Sequence, residues 1–161
     1  MIFVTVGMHP QGFERLVRAA DELAGQISEP VVVQKGATIY EPVTAEYFDF
    51  TDEEEMARWI SEARLVVSHG GAGSILSVLR AQKPLVVTPR LSRYGEHIDD
   101  HQGELAGALA ADGRAFVVEA LAEGQLRKVI DQVGSLSGWS SPNGPVVHSF
   151  LRSWLLAPGG F

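Results

Sequence analysis

Six short apolar runs punctuate the chain, at 2–6, 31–34, 47–50, 65–68, 85–88 and 115–118. Between them lie stretches whose apolar residues recur every three or four positions, at 13–26, 52–63, 74–82, 98–111 and 122–133. This alternation constrains the fold more than any other feature. The runs IFVTV, VVVQ, LVVS and LVVT carry branched residues at successive positions, so both faces of each strand need cover. The periodic stretches are helices that supply it. Strands alternating with helices pair in parallel, because a parallel pair cannot be closed by a tight turn. The expectation is an α/β, Rossmann-like, doubly wound parallel sheet of about six strands with helices on both faces, spanning residues 1–137. The turn-forming stretch GWSSPNGP at 138–145 reads as a linker. Residues 146–161 read as a C-terminal amphipathic helix and tail, since Val147, Phe150, Leu151, Trp154 and Leu155 fall at helical spacing. That helix docks on its own domain or, alternatively, on a partner.

Composition narrows the function. A chain of 161 residues suits a single core. A net charge of −7 argues against a nucleic-acid groove, so no nucleic-acid partner is expected. The absence of cysteine excludes disulfides, thiolate nucleophiles and cysteine metal sites. The opening MIFVTVG is too short for a signal h-region, and no apolar run reaches the length of a membrane span. A cytoplasmic chain is expected.

Doubly wound sheets bind ligands beyond the carboxyl ends of their strands. The segments to inspect are therefore 7–12, 35–42, 69–73 and 89–100. The stretch SHGGAGSILS at 68–77 places three glycines before a helix that Ser74 is expected to open. Glycines permit close backbone approach, and a helix N-terminus attracts anions, so Gly70, Gly71, Gly73 and Ser74 form a candidate phosphate site. Gly7–Gly12 has P-loop glycine spacing, but Phe13 and Glu14 occupy the Lys and Ser/Thr positions, which excludes triphosphate chemistry of that kind. His9 in this loop is either a ligand contact or a plain surface residue before Pro10. Gly71-Ala-Gly73 lacks the third glycine of a dinucleotide fingerprint, and Val66–Gly70 lacks the first glycine of a nucleophile elbow. His97 and His101 share a helical spacing without the glutamate of a zinc-protease motif. Thr51–Glu54 reads as a capping box, so the acidic run at 52–55 is structural.

The stretch 66–102, VVSHGGAGSILSVLRAQKPLVVTPRLSRYGEHIDDHQ, joins a glycine loop to a second strand ending in Pro89-Arg90 and then a polar loop. With the opening IFVTVG-x-H, Phe13, Arg15 and Leu16, Tyr40-x-Pro42, Phe48-Asp-Phe50, Met56, Ile60 and Ala63, it resembles the C-terminal, donor-binding domain of family-28 GT-B glycosyltransferases. The likeness extends to the soluble subunit of the two-part UDP-N-acetylglucosamine transferase and to PssE-type bacterial exopolysaccharide subunits. The resemblance implies a UDP-sugar donor, with its diphosphate held by Gly7, Gly70, Gly71, Gly73, Ser74 and Arg90. It places Ser77 at the ribose and Asp100, His101 and Gln102 at the donor sugar. Met8 and Ser77 depart from the family's usual threonine and glutamate. A GT-B site lies between two domains and this chain supplies one. The resemblance therefore implies a catalytic subunit working with a membrane-associated, acceptor-binding chain, peripheral at the inner face of the membrane. The acceptor would be a polyisoprenyl-diphosphate-linked sugar, and the reaction inverting, with no metal or other cofactor. His9 is the candidate general base within this chain. Arg93 is a further cation of the 89–100 loop, read as solvated. A non-catalytic partner subunit and a nucleotide-sugar epimerase are the competing readings.

Overall fold

Strands β1 (Ile2–Thr5), β2 (Val31–Gln34), β3 (Glu46–Phe48), β4 (Leu65–His69), β5 (Leu85–Thr88) and β6 (Phe116–Val117) form one sheet in the order β3-β2-β1-β4-β5-β6. Every pairing is parallel. The computed structural model describes residues 1–98 and 101–134. The expected linker and C-terminal helix over 138–161, and Asp100, lie outside the described residues. Helices α1 (Glu14–Gln26), α2 (Glu53–Glu62), α3 (Ala72–Arg80), α4 (His101–Ala111) and α5 (Gln125–Gly134) cover the sheet. No helix among the described residues is long and apolar enough to cross a membrane.

The strands are buried on both sides, as their unbroken apolar runs require. Ile2, Val4, Val31, Val33, Leu65 and Val67 face α1 and α5, where Leu16, Val17, Leu23, Leu126 and Ile130 complete one core. Phe3, Val32, Val66, Leu85 and Val87 face the opposite way, toward Ile60, Ile75, Val78, Leu79, Leu105 and Leu109 of α2, α3 and α4. Successive residues of each strand thus feed two separate cores, and the chain winds outward from β1 in both directions. Between β1 and β4 the winding reverses, which opens a crevice at their carboxyl ends.

Several boundaries differ from the sequence expectation. The third strand runs over Glu46–Phe48, not 47–50, and beyond β2 the N–H groups of Lys35 and Gly36 donate to the carbonyls of Phe48 and Asp49. The third helix begins at Ala72 with Gly71 as N-cap, so Ser74 sits inside its first turn and does not open it. The second helix is capped by Asp52, whose carboxylate accepts from the Glu55 N–H at 2.8 Å. Thr51 instead donates its hydroxyl to the Glu55 carboxylate at 2.6 Å. A short 3-10 turn at Ser92–Tyr94, absent from the periodicity, folds the loop after β5.

Asp21, on the buried face of α1, organises the loop before β3. Its carboxylate accepts the Tyr40 hydroxyl at 2.6 Å and the N–H groups of Val43, Thr44 and Ala45 at 3.0, 2.7 and 2.9 Å. Burial pushes its pKa up, but these four donors outweigh burial and hold it below the ordinary value of 3.8. The unfolded chain therefore takes up this proton before the native one does. We predict that Asp21→Asn lowers stability by about 1–2 kcal/mol near neutrality. The gap to the parent protein should narrow as pH falls below 3.8 through the depressed native value. Urea unfolding midpoints across that range check this, and a gap independent of pH would contradict it.

Candidate functional site

A groove of about 610 Å³ lies over the crevice between β1 and β4. One wall is the first turn of α3, with Gly71, Gly73, Ser74 and Ser77; the other is the start of α2, with Thr51, Asp52, Glu53 and Met56. Thr5, Gly7 and His69 line it where the strands end.

The α3 wall is built to receive an anion. Its first N–H groups have no acceptor within the helix, no side chain caps them, and no acidic residue occupies the first turn. Nothing approaches within 4 Å of where a side chain on Gly73 would stand, so the backbone there is open. The sequence expectation of Gly71, Gly73 and Ser74 in one glycine turn is realised as a single surface facing the groove.

His69 is the residue that sequence reasoning missed. Its imidazole is buried, with 8% exposure, and fills the space between the two glycine loops. A Cβ on Gly7 would lie 2.4 Å from its Cε1, and a Cβ on Gly71 2.4 Å from its Nε2. Both positions must therefore be glycine while the ring is there, and Gly7 also has a φ of +75°. Burial first, and then the charge of Arg90, lower the pKa of His69 from 6.5 to about 4. A backbone hydrogen bond with Thr5 favours its protonated form. The signal was available: a histidine ending a fully buried strand, followed by two glycines.

Gly7 itself is not a phosphate donor. Gln34 Oε1 accepts its N–H at 3.1 Å, with the Thr5 hydroxyl oxygen 3.3 Å away, and Gln34 Nε2 donates to its carbonyl at 3.1 Å. Gly70 likewise serves packing, since a Cβ there would lie 2.5 Å from the Cβ of Gln102.

Arg90 requires the largest correction. Its side chain is fully buried and does not reach the groove. One guanidinium nitrogen donates to the carbonyls of Gln11 and Gly12 at 3.0 and 2.9 Å, and the other to that of Val6 at 3.1 Å. The group also lies 4.8 Å above the Phe13 ring. Arg90 thus holds the loop after β1 against the loop after β5 instead of holding a ligand.

Of the remaining candidates, Ser77 alone lines the groove. His9 is exposed, accepts the Gln11 N–H on Nδ1 at 3.2 Å, and faces the His97 ring with centroids 5.5 Å apart. His101 and Gln102 open α4; His101 Nδ1 is 3.3 Å from Glu104, and Gln102 Oε1 accepts the Arg90 N–H at 3.1 Å. Ser77 donates its hydroxyl to Gly73 O at 3.1 Å. Arg93 is exposed, with Glu119 4.0 Å away, as its solvated reading expects.

Residues 1–135 match the model of the glycosyltransferase family 28 C-terminal domain. The UDP-N-acetylglucosamine transferase subunit ALG13 of Debaryomyces hansenii is 30% identical over 118 residues, covering 72% of this chain and 52% of that protein. The subunit of the same name from Cryptococcus neoformans var. neoformans serotype D is 45% identical over 85 residues, 50% of this chain and 40% of that protein. The chain thus spans about half the length, or less, of these curated relatives. The crystal structure of the kitacinnamycin glycotransferase superposes with a TM-score of 0.67 at 18% identity, over 94% of this chain and 37% of that one. The solution structure of ALG13 gives 0.61 at 21% identity, over 91% and 92%. At these identities the structural likeness speaks of the fold.

One prediction follows from the histidine between the glycines. The unfolded chain binds a proton at His69 near pH 6.5, whereas the native chain resists until about 4. Stability should therefore fall as pH drops from 6.5 toward 4, by on the order of 3 kcal/mol from this group. Proton NMR of the His69 ring, with unfolding curves at each pH, measures both. A ring titrating near 6.5 would refute the assignment.

Proposed function

The chain belongs to the glycosyltransferase family 28 C-terminal domain family, and from that premise we propose that it is the donor-binding, catalytic subunit of a two-part inverting glycosyltransferase. The observation that carries this reading is the uncapped N-terminus of α3 opening into the groove at the sheet's reversal point. The donor is a UDP-sugar, and the relatives' name supports UDP-N-acetylglucosamine among these. Its diphosphate lies on the N–H groups of residues 72–74. The helix dipole and these donors stabilise the negative charge that develops as UDP leaves.

The reaction forms a bond from an acceptor hydroxyl oxygen to the anomeric carbon. The bond from that carbon to the diphosphate oxygen breaks, with its electron pair leaving on UDP. Asp100, His101 and Gln102 orient the sugar for this attack. The hydroxyl proton passes to His9, whose Nδ1 is occupied by the Gln11 N–H and whose other nitrogen is available as a base. Arg90 acts here only by fixing the loop that carries His9.

An acceptor-binding chain closes the groove. Met8, Ile39, Phe50, Tyr94 and Ile98 are large apolar residues exposed in the loops after β1, β2, β3 and β5, around the carboxyl edge of the sheet. Such a concentration at one edge supports a protein contact there. The partner is membrane-associated, and the acceptor is a polyisoprenyl-diphosphate-linked sugar of exopolysaccharide or capsule assembly, as the resemblance to PssE-type subunits suggests. The chain itself then works in the cytoplasm, at the inner face of the membrane.

A second reading has one observation in its favour. The Ser77 hydroxyl is turned onto the Gly73 carbonyl, leaving that position without a free donor. A subunit that kept the fold and lost donor chemistry would look the same there.

Titration of the chain with UDP separates the readings. The amide resonances of residues 72–74 should shift, and His101→Ala with Gln102→Ala should abolish transfer in the reconstituted complex while the protein stays folded, with about 1 kcal/mol lost from the Arg90 N–H that Gln102 no longer accepts. Undiminished turnover in that double variant would remove both residues from the sugar site. An absence of UDP binding, alone or with the partner, would favour the non-catalytic subunit.

A further inference from the structure

The sheet ends at β3, which among the described residues pairs only with β2. Along this open edge, from the loop after β2 to the approach to α2, lie Ile39, Val43, Tyr47 and Phe50. They are four of the seven large apolar side chains exposed among the described residues, and Ile39 and Val43 are 91% and 88% exposed. The backbone that carries them is held from below. Asp21 takes the N–H groups of Val43, Thr44 and Ala45 and the Tyr40 hydroxyl. Lys35 Nζ donates to the Thr38 carbonyl at 2.9 Å, and the Thr38 hydroxyl oxygen accepts the Phe13 N–H at 2.9 Å. Apolar side chains on a backbone fixed in advance lose little freedom when a partner covers them.

Charge decides what that partner is. The stretch 36–57 contains seven Asp and Glu and no Lys, Arg or His. The whole chain has 20 acids and 13 bases, so outside this stretch there are 13 of each, and the net charge of −7 sits on this edge. All seven carboxylates are exposed. The flanking cations offset two of them, Lys35 pairing with Asp49 and Arg58 with Glu55. Among the described residues Glu41, Glu46, Asp52, Glu53 and Glu54 have no ion pair. Helix capping accounts for the acids at 52–55, and an open strand needs a charge such as Glu46 against self-pairing. Neither explains rigidly held apolar side chains in their midst. An anionic membrane or a nucleic acid would be repelled, and a second copy would set acid against acid. The complement is a protein face on which Lys and Arg surround apolar side chains. Membrane-associated chains carry such cations in excess beside the cytoplasmic leaflet.

We propose that the β3 edge docks a Lys- and Arg-rich face of the acceptor-binding chain. The contact rests on the two-chain reading above and gives it a place on the fold and a chemistry. Opposite charge speeds the encounter, and the apolar side chains hold the complex once it has formed.

Surface plasmon resonance of the full chain against the acceptor-binding chain, over rising salt, tests it. The edge variant is Glu41→Gln with Glu46→Gln and Glu54→Gln, none of which lines the groove. The control is Glu119→Gln with Glu123→Gln and Asp131→Asn, which are also exposed. At low ionic strength the edge variant should associate about tenfold more slowly than the parent, and at about 1 M salt the two should converge. The control should keep the parent's rate, and Val43→Ser should dissociate several-fold faster. Equal association of parent and edge variant at low salt, or an equal loss in the control, overturns the docking face and leaves the two-chain reading standing. Binding of the parent to phosphatidylglycerol vesicles that Val43→Ser abolishes would assign the edge to a bilayer and overturn it too. Failure of the parent to associate at any salt overturns the two-chain reading and this contact together.

Discussion

The guanidinium of Arg90 is the contact on which the carboxyl edge of the sheet depends. Removing such a group from water costs several kcal/mol, and only dense hydrogen bonding offsets it. Here three backbone carbonyls, those of Val6, Gln11 and Gly12, lie within 3.1 Å, and the Phe13 ring closes one face. Those carbonyls belong to the loop after β1, whereas Arg90 follows β5, and β4 runs between the two strands. The arginine therefore bridges across a strand and fixes two loops that sheet hydrogen bonds alone would leave independent. Gln11 reinforces the tie by donating to the Gly95 carbonyl. Arg15 does so through a two-pronged pair with Glu96 at 2.8 Å on each arm.

The positions of His9 and His69 follow from that tie. With the loop after β1 held down, the imidazole of His69 occupies the gap between Gly7 and Gly71 and stays neutral there. The glycines serve the ring as much as any ligand: they remove the Cβ atoms that would collide with it. Gln34 completes the arrangement by taking both the N–H and the carbonyl of Gly7. Of the two glycine loops, only the one at α3 keeps its backbone N–H groups unspent.

That asymmetry gives the groove its polarity. A helix end with unspent N–H groups faces a helix end carrying an unpaired carboxylate, with apolar side chains between them. The electrostatic potential along the groove therefore runs from positive at the α3 end to negative at the α2 end.

The sequence by itself determined the sheet, its parallel pairing and the glycine turn. Those features rest on local pattern: apolar runs such as LVVS must be covered on both faces, and helical spacing shows what covers them. It also located the glycine turn that opens α3, because glycine before a helix has a physical meaning at short range. Only the tertiary structure decided what each polar group spends its hydrogen bonds on. Arg90 looked like a phosphate ligand until the carbonyls of distant loops were seen around it. Gly7 looked like a donor until Gln34 was found upon it. Each outcome depends on partners 27 or more residues away in some cases, and always on neighbours that chain order does not reveal. Periodicity reports burial, whereas the pairing of polar groups is fixed by which loops the sheet order brings together.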